Sequence, residues 1–309
     1  MQTAETEVPA PALARFSCGF CGAALVLQPG LRTATCPYCG SPSVLERSTD
    51  DAPEPMFVLG FQLPGEAAVA QMQRWLRGRT VFARAGVRKA RVEEVRGVYV
   101  PAWLYGAVAR ADYSAEIGED WWETRTVGRG KKRHTEVRHH IEWRSLSGTW
   151  AGYVPDLLIS ASTALPDAEL STVGGFDHAL FARYRPADVA GWIAEDPSRE
   201  RDACLADART QARAGIGQRL SSFLPGDHQR DLRFGVALDE ESLDLVLLPV
   251  WIFALRYAPD RPPMRVLVNG QTGRAAGRVP LSWIKILSTV AVAVALVLLF
   301  VWSQGAFAG

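Results

Sequence analysis

Hydrophobic and polar positions divide residues 56–280 into strand-like and helix-like segments. Residues 56–61 form a short apolar run that is typical of a strand. Apolar residues at helical spacing follow Pro64 and predict a helix that ends near Arg77. The same kind of pattern predicts two further helices, over residues 186–195 and 199–220.

Two strand-like segments of the chain resemble each other. Residues 98–105 read VYVPAWLY and residues 246–253 read VLLPVWIF, each with a Pro-x-Trp sequence. Further strand-like runs follow both, so the pattern predicts two related antiparallel β units. A proline within a strand indicates an edge or a bulge. Between the last two predicted strands, Asn269 and Gly270 indicate a hairpin turn rather than a phosphate-binding loop.

The apolar run near the end of the chain is the longest in the sequence. Residues 283–302 are interrupted only by Lys285 and are about as long as a helix that crosses a ~30 Å hydrocarbon core. The run therefore predicts a transmembrane helix, with a buried core helix as the alternative. Arg274, Arg278 and Lys285 precede the run, and this charge bias predicts a cytoplasmic N-terminus. The expected location is the bacterial inner membrane, with a single membrane pass.

Four cysteines near the start of the chain have the spacing of a metal site. Cys18 and Cys21 form one Cys-x2-Cys pair, and Cys36 and Cys39 form another. Four thiolates in this arrangement suit one tetrahedral Zn²⁺ ion, and such a closed site is structural rather than catalytic. Residues 1–15 lack the pattern of a signal peptide, which disfavours the alternative of two disulfides. The spacing thus predicts a zinc ribbon.

These elements predict an α+β fold class. The predicted chain has an N-terminal zinc ribbon, a central domain with two related antiparallel β units and helices, and a C-terminal transmembrane helix. The expected boundaries are a disordered arm (1–15), the ribbon (16–46), a linker (47–55), an α+β cytoplasmic domain (56–280), the transmembrane helix (283–302) and a short tail (303–309).

The charge composition argues against a general nucleic-acid binder. The 34 basic residues are balanced by 33 acidic residues, whereas non-specific binding depends on many contacts from Lys and Arg to phosphates. One dense basic run contains Arg129, Lys131, Lys132 and Arg133 and predicts a partner-binding site. The alternative is a solvated hairpin tip. No nucleophile elbow, His-Glu-x-x-His or Gly-x-Gly-x-x-Gly sequence occurs, so we expect no enzymatic activity.

Several segments, taken in order, resemble one protein family. They are the four-cysteine region and residues 97–103, 181–186, 248–251, 268–273 and 283–302. Together they are similar to bacterial single-pass membrane proteins with a TFIIB-type zinc ribbon, which are associated with SPFH and phage-shock-type systems. Some of these relatives are labelled primosomal or helicase-like, but this chain has no Walker sequence.

The resemblance implies a membrane-tethered adaptor that recruits cytoplasmic proteins to the inner membrane, possibly during envelope stress. The expected partners are the membrane and proteins of SPFH or phage-shock type. One alternative is a membrane-held nucleic-acid-binding module that uses the ribbon and the basic run. Another is an enzyme whose site lies in the α+β domain.

Overall fold

The computed structural model describes residues 14–17, 24–27, 31–35, 42–44, 53–127 and 134–306. The strands are β1 (Ala14–Ser17), β2 (Ala24–Leu27), β3 (Thr33–Thr35), β4 (Pro42–Val44), β5 (Phe57–Val58), β6 (Arg91–Val127), β7 (His134–Ser160), β8 (Ala182–Arg183), β9 (Ile193–Ala194), β10 (His228–Arg256), β11 (Met264–Asn269) and β12 (Ala275–Gly277). The α-helices are α1 (Gly65–Arg77), α2 (Asp167–Val173), α3 (Pro186–Val189), α4 (Arg201–Phe223) and α5 (Trp283–Ala306).

The chain divides into two compact units, and each contains separated stretches of sequence. Unit 1 comprises residues 1–102, 162–198 and 245–309. Unit 2 comprises residues 103–161 and 199–244.

Within the described residues, the fold is dominated by one mixed sheet of eight strands. Its strand order is β12-β11-β10-β5-β8, and β6 joins β10, β7 and β9. β5 runs parallel to β10, and β9 runs parallel to β6, whereas β11 is antiparallel to both β10 and β12. The two Pro-x-Trp segments lie in β6 and β10, which pair directly. The predicted fold class, α+β with two related antiparallel β units, is therefore wrong, because both segments belong to one mixed sheet that also contains parallel strand pairs.

The core of unit 1 forms where α1 packs against the sheet. Ala68, Met72 and Leu76 are buried and follow one another at every fourth position, so they lie on one face of the helix. The strand residues in this core are aliphatic or aromatic and include Phe253, Leu255, Met264, Val266 and Val268. The start and end of α1 agree closely with the helix that the apolar spacing predicts.

Four rings pack together in unit 1, and we call them the aromatic cluster (Phe61, Tyr99, Trp192 and Trp251). Phe61 stacks on Trp192 with 4.2 Å between ring centroids, and it meets Trp251 edge-on at 5.1 Å. Gly97 makes room for these rings, because a Cβ atom there would lie 2.5 Å from the Trp192 ring. Offset and edge-on ring pairs of this kind add stability beyond the area that they bury.

The segment that leads into β3 is attached to unit 1 by a buried ion pair. Arg32 Nε donates to Asp196 Oδ1 at 2.8 Å, and the two side chains are only 4% and 7% exposed. The adjacent backbone adds a hydrogen bond from Arg32 N to Ala194 O, and Ala194 N donates to Thr33 Oγ1. Charges that are this far removed from water are stable only when each is paired.

The N-terminal strands form two short antiparallel pairs, β1 with β2 and β3 with β4. Cys18, Cys21, Cys36 and Cys39 lie outside the described residues, as do most of the predicted arm and linker. In the part of the chain that is described, no group of three or more Cys, His, Asp or Glu residues could hold a metal ion. The zinc ribbon that the predicted fold class includes is thus not found among the described residues.

The apolar C-terminal segment forms α5, which extends to Ala306 and so into the predicted tail. Its apolar side chains are largely exposed as far as Leu298. No helix among the described residues has the length and apolarity that crossing a membrane requires. This finding contradicts the predicted transmembrane helix over 283–302 and the single-pass inner-membrane location.

Unit 2 is built from α4 and the adjoining parts of the long strands. The buried residues of α4 recur at every fourth position and form one stripe: Cys204, Ala208, Ala212, Ile216 and Leu220. The small side chains in this stripe allow α4 to approach β7 closely, and Arg219 donates to the carbonyl of Tyr153 on that strand at 2.7 Å. The spacing predicts this helix to within a few residues of its ends.

Candidate functional site

A cleft of about 510 Å³ opens in unit 1 beside β12. It is lined by the end of α1, by α2 and by β11 and β12 with the residues that follow them. Four of the lining side chains are arginines and one is a carboxylate: Arg79, Arg265, Arg274, Arg278 and Glu169. We call this site the arginine-lined cleft.

The end of α1 positions the first of these arginines. α1 stops at Arg77, and Arg79 N then donates to the carbonyl of Leu76 at 3.0 Å. This turn places the Arg79 guanidinium over the ring of Trp75, 4.6 Å from its centroid. Stacking on an indole ring holds a guanidinium in place through its π face and leaves its N–H groups free to bind an anion.

The turn between β11 and β12 positions Arg274. The buried side chain of Asn269 accepts hydrogen bonds from the backbone N–H groups of Gln271 and Thr272, at 2.8 and 3.0 Å. Its Nδ2 donates to the carbonyl of Val173 at the end of α2. Gly273 has φ of +76°, a conformation that glycine adopts without strain. The turn that Asn269 and Gly270 predict is therefore confirmed, and it leads directly into the cleft.

The cleft carries an excess of positive charge. Arg265 pairs with Glu169 and also donates to the carbonyl of Ala164 at 2.7 Å. Among the described residues, Arg79, Arg274 and Arg278 form no ion pair with a carboxylate. Guanidinium groups bind carboxylates and phosphates through paired N–H groups, so three such groups around one cleft favour an anionic ligand.

An apolar pocket of about 450 Å³ adjoins the arginine-lined cleft. The two share Arg79 and Gly277, and the apolar pocket continues along Val279 and Leu281. Its other lining residues include Val81, which is 72% exposed, and Phe82. A ligand with both anionic and apolar groups would fit the two together.

The site residues that the sequence predicts are not among the described residues that line this cleft. Arg129, Lys131, Lys132 and Arg133 lie between β6 and β7 in the sequence, outside the described residues, as do the four cysteines. In the sequence, Arg274 and Arg278 stand out only as basic residues that precede the apolar run. Nothing local in the sequence links them to Arg79, which the fold brings to the same cleft.

A second polar group lies in unit 2. Asp120 Oδ1 accepts hydrogen bonds from Nε2 of both His139 and His228, each at 2.8 Å. The hydrogen bond from His139, followed by that from His228, lowers the pKa of Asp120. Successive residues of a strand face opposite sides of the sheet, and His140 accordingly stacks on Trp121 instead.

Comparison with known proteins identifies one distant relative and no family. The chain is 21% identical over 229 residues to the uncharacterized protein YdjG of Bacillus subtilis (strain 168). The match covers 74% of this chain and 64% of the relative, so the chain spans less than two thirds of that protein's length. No protein-family model matches the chain, and no solved structure matches it.

Proposed function

We propose that the protein is a non-enzymatic adaptor that binds an acidic segment of a partner protein in the arginine-lined cleft. The observation that carries this proposal is the set of three arginines, Arg79, Arg274 and Arg278, that line one cleft without a carboxylate partner among the described residues. Such an arrangement favours an external anion as the counter-charge.

The lining of the cleft favours binding over catalysis. Its one carboxylate, Glu169, is paired with Arg265 and is therefore poorly suited to accept a proton from a substrate. Thr172 contributes the one hydroxyl group among the described lining residues, and none of those residues is a histidine or cysteine that could activate it.

A protein segment fits the site better than a nucleic acid. The adjoining pocket is apolar, whereas nucleic-acid sites combine many phosphate contacts with exposed base-stacking rings. The net charge of +1 also provides no broad positive field beyond the cleft. SPFH and phage-shock-type proteins are the partners that the sequence resemblance implies, and their binding stays a prediction.

Charge reversal at the cleft tests the proposal. The probe is a fluorescein-labelled eight-residue peptide that alternates glutamate with valine and ends in leucine. We expect the triple variant Arg79→Glu, Arg274→Glu and Arg278→Glu to bind the probe at least about tenfold more weakly, because each change replaces an attractive charge by a repulsive one. The measurement is fluorescence anisotropy at low salt, and binding to the wild-type chain should weaken as salt is added.

Arg88→Glu is the matched control for this experiment. Arg88 is also exposed and forms no ion pair among the described residues, but it lies in a 3-10 helix outside the cleft. The control should bind the probe as the wild-type chain does. Equal binding by the triple variant would refute the proposed site. Tighter binding of a labelled single-stranded oligonucleotide, lost in the same variant, would favour the nucleic-acid alternative.

Zinc binding by Cys18, Cys21, Cys36 and Cys39 is part of the same proposal. In the sequence, one cysteine pair falls between β1 and β2, whose facing ends are Ser17 and Ala24. The other falls between β3 and β4, which end at the pair Thr35 and Pro42. Each pair of strands is thus joined by a segment that contains one Cys-x2-Cys pair, and the four thiolates together suit one tetrahedral Zn²⁺ ion. Binding of that ion would connect the two strand pairs.

Metal analysis of the purified full-length chain tests the zinc proposal. We expect about one zinc per chain and loss of most of it in Cys36→Ser, because three thiolates hold the ion less tightly than four. Cys204→Ala is the control, since this buried thiol belongs to α4 in unit 2, and its removal should leave the zinc content unchanged. A wild-type chain that contains no zinc when purified without chelators would contradict the proposal.

A further inference from the structure

β12 is the terminal strand of the large sheet. It pairs with β11 on one side, and among the described residues no strand pairs with its other side. The arginine-lined cleft lies along this strand, since Ala275, Ala276 and Gly277 all line it. An open strand edge carries backbone N–H and C=O groups that can pair with another extended chain.

The register shows which backbone groups point to the open edge. Asn269 N donates to Arg274 O at 2.9 Å, which makes these residues a hydrogen-bonded pair. Hydrogen-bonded and non-hydrogen-bonded pairs alternate along antiparallel strands. The pairs of Ala275 with Val268 and of Gly277 with Val266 are therefore non-hydrogen-bonded. The N–H and C=O groups of Ala275 and Gly277 accordingly face away from β11, towards the cleft.

We propose that the acidic partner segment binds as an additional β-strand along β12. This inference rests on the proposed function and specifies how the partner is held. Backbone hydrogen bonds to Ala275 and Gly277 would fix the segment, and alternate side chains would project to opposite faces of the extended sheet. Arg79 and Arg274 then lie within reach of its acidic side chains.

The apolar pocket is a second feature of the site that would select the sequence of the bound strand. Gly277, at the end of β12, lines the pocket together with Val279 and Leu281, so the pocket lies next to the end of the open edge. A segment that pairs with β12 and extends past Gly277 reaches this pocket with its next residues. The predicted ligand is therefore an extended peptide that carries acidic residues next to an apolar residue, rather than a free phosphate or a small carboxylate.

Backbone methylation of the peptide probe tests strand addition. Two versions of the eight-residue probe are made, one with N-methyl groups at the even positions and the other at the odd positions. In a bound edge strand, alternate N–H groups point to the protein, so N-methylation at those positions removes hydrogen bonds and introduces a clash. We expect one version to lose at least about tenfold in affinity for the full-length chain, and the other to lose much less.

The outcomes separate this inference from the proposed function. Equal affinities for the two methylated versions, whether retained or reduced, would overturn strand addition, while binding of the unmethylated probe would still support an acidic ligand. If the unmethylated probe shows no binding that depends on Arg79, Arg274 and Arg278, the proposed function itself fails, and strand addition fails with it. A change of Val81→Glu should weaken the unmethylated probe severalfold by placing a charge at the apolar pocket.

Discussion

Asp196→Ala is expected to lower the free energy of unfolding by about 3–5 kcal/mol, because it leaves the buried guanidinium of Arg32 without its counter-charge. Both side chains of this pair are almost fully buried, so water cannot replace the lost partner. Urea denaturation at neutral pH should show a lower midpoint for the variant than for the wild-type chain. The slope of the transition is compared between the two.

The exposed pair of Arg110 and Asp239 provides a control of the same chemistry. Its charged atoms lie 3.6 Å apart, and the side chains are 72% and 47% exposed. Asp239→Ala should therefore change the free energy of unfolding by less than about 1 kcal/mol. Similar effects of the two substitutions would contradict this prediction and would mean that Arg32 and Asp196 are exposed to water in solution.

Trp251→Ala is expected to lower the free energy of unfolding by about 3 kcal/mol, near the lower end of the range for removing a core tryptophan. The change removes one ring of the aromatic cluster and the hydrogen bond from Trp251 Nε1 to the carbonyl of Leu63, at 2.9 Å. Trp251→Phe keeps a ring and should cost less. Thermal and urea denaturation of the full chain measure both changes.

Trp122→Ala is the matched control for the aromatic cluster. Trp122 is 62% exposed, so its removal should change the free energy of unfolding by less than about 1 kcal/mol. A loss as large as that of Trp251→Ala would show that exposed rings of unit 2 contribute to stability as much as the cluster does.

Local signals in the sequence predict the helices and the turn, whereas the sheet depends on distant pairing. α1 and α4 follow apolar positions spaced three or four residues apart, and the turn after Asn269 follows from its own residue types. By contrast, β6 and β10 are about 140 residues apart in the chain, and no local sequence pattern predicts that they pair. The sequence therefore predicts a β unit at each Pro-x-Trp segment but does not predict that β6 and β10 share one mixed sheet.

The arginine-lined cleft could not be predicted for the same reason. Arg79 follows a helix, and Arg274 and Arg278 flank a short strand, so no motif connects them. Arginines that precede an apolar run are usually interpreted as charges that flank a membrane segment. This interpretation explains Arg274 and Arg278 without predicting a binding site. Only the packing of α1 against β12 brings the three charges to one cleft.

The division of unit 1 into separated stretches of sequence has a consequence during synthesis on the ribosome. Arg79 and Arg274 are about 200 residues apart, and at ~5–20 residues per second roughly 10–40 s pass between their appearances. During this interval the first part of unit 1 has been synthesised, but the later strands that cover its apolar face have not. Nascent chains that stop before β12 lack the cleft altogether, so the cleft forms only after both α1 and β12 have been synthesised.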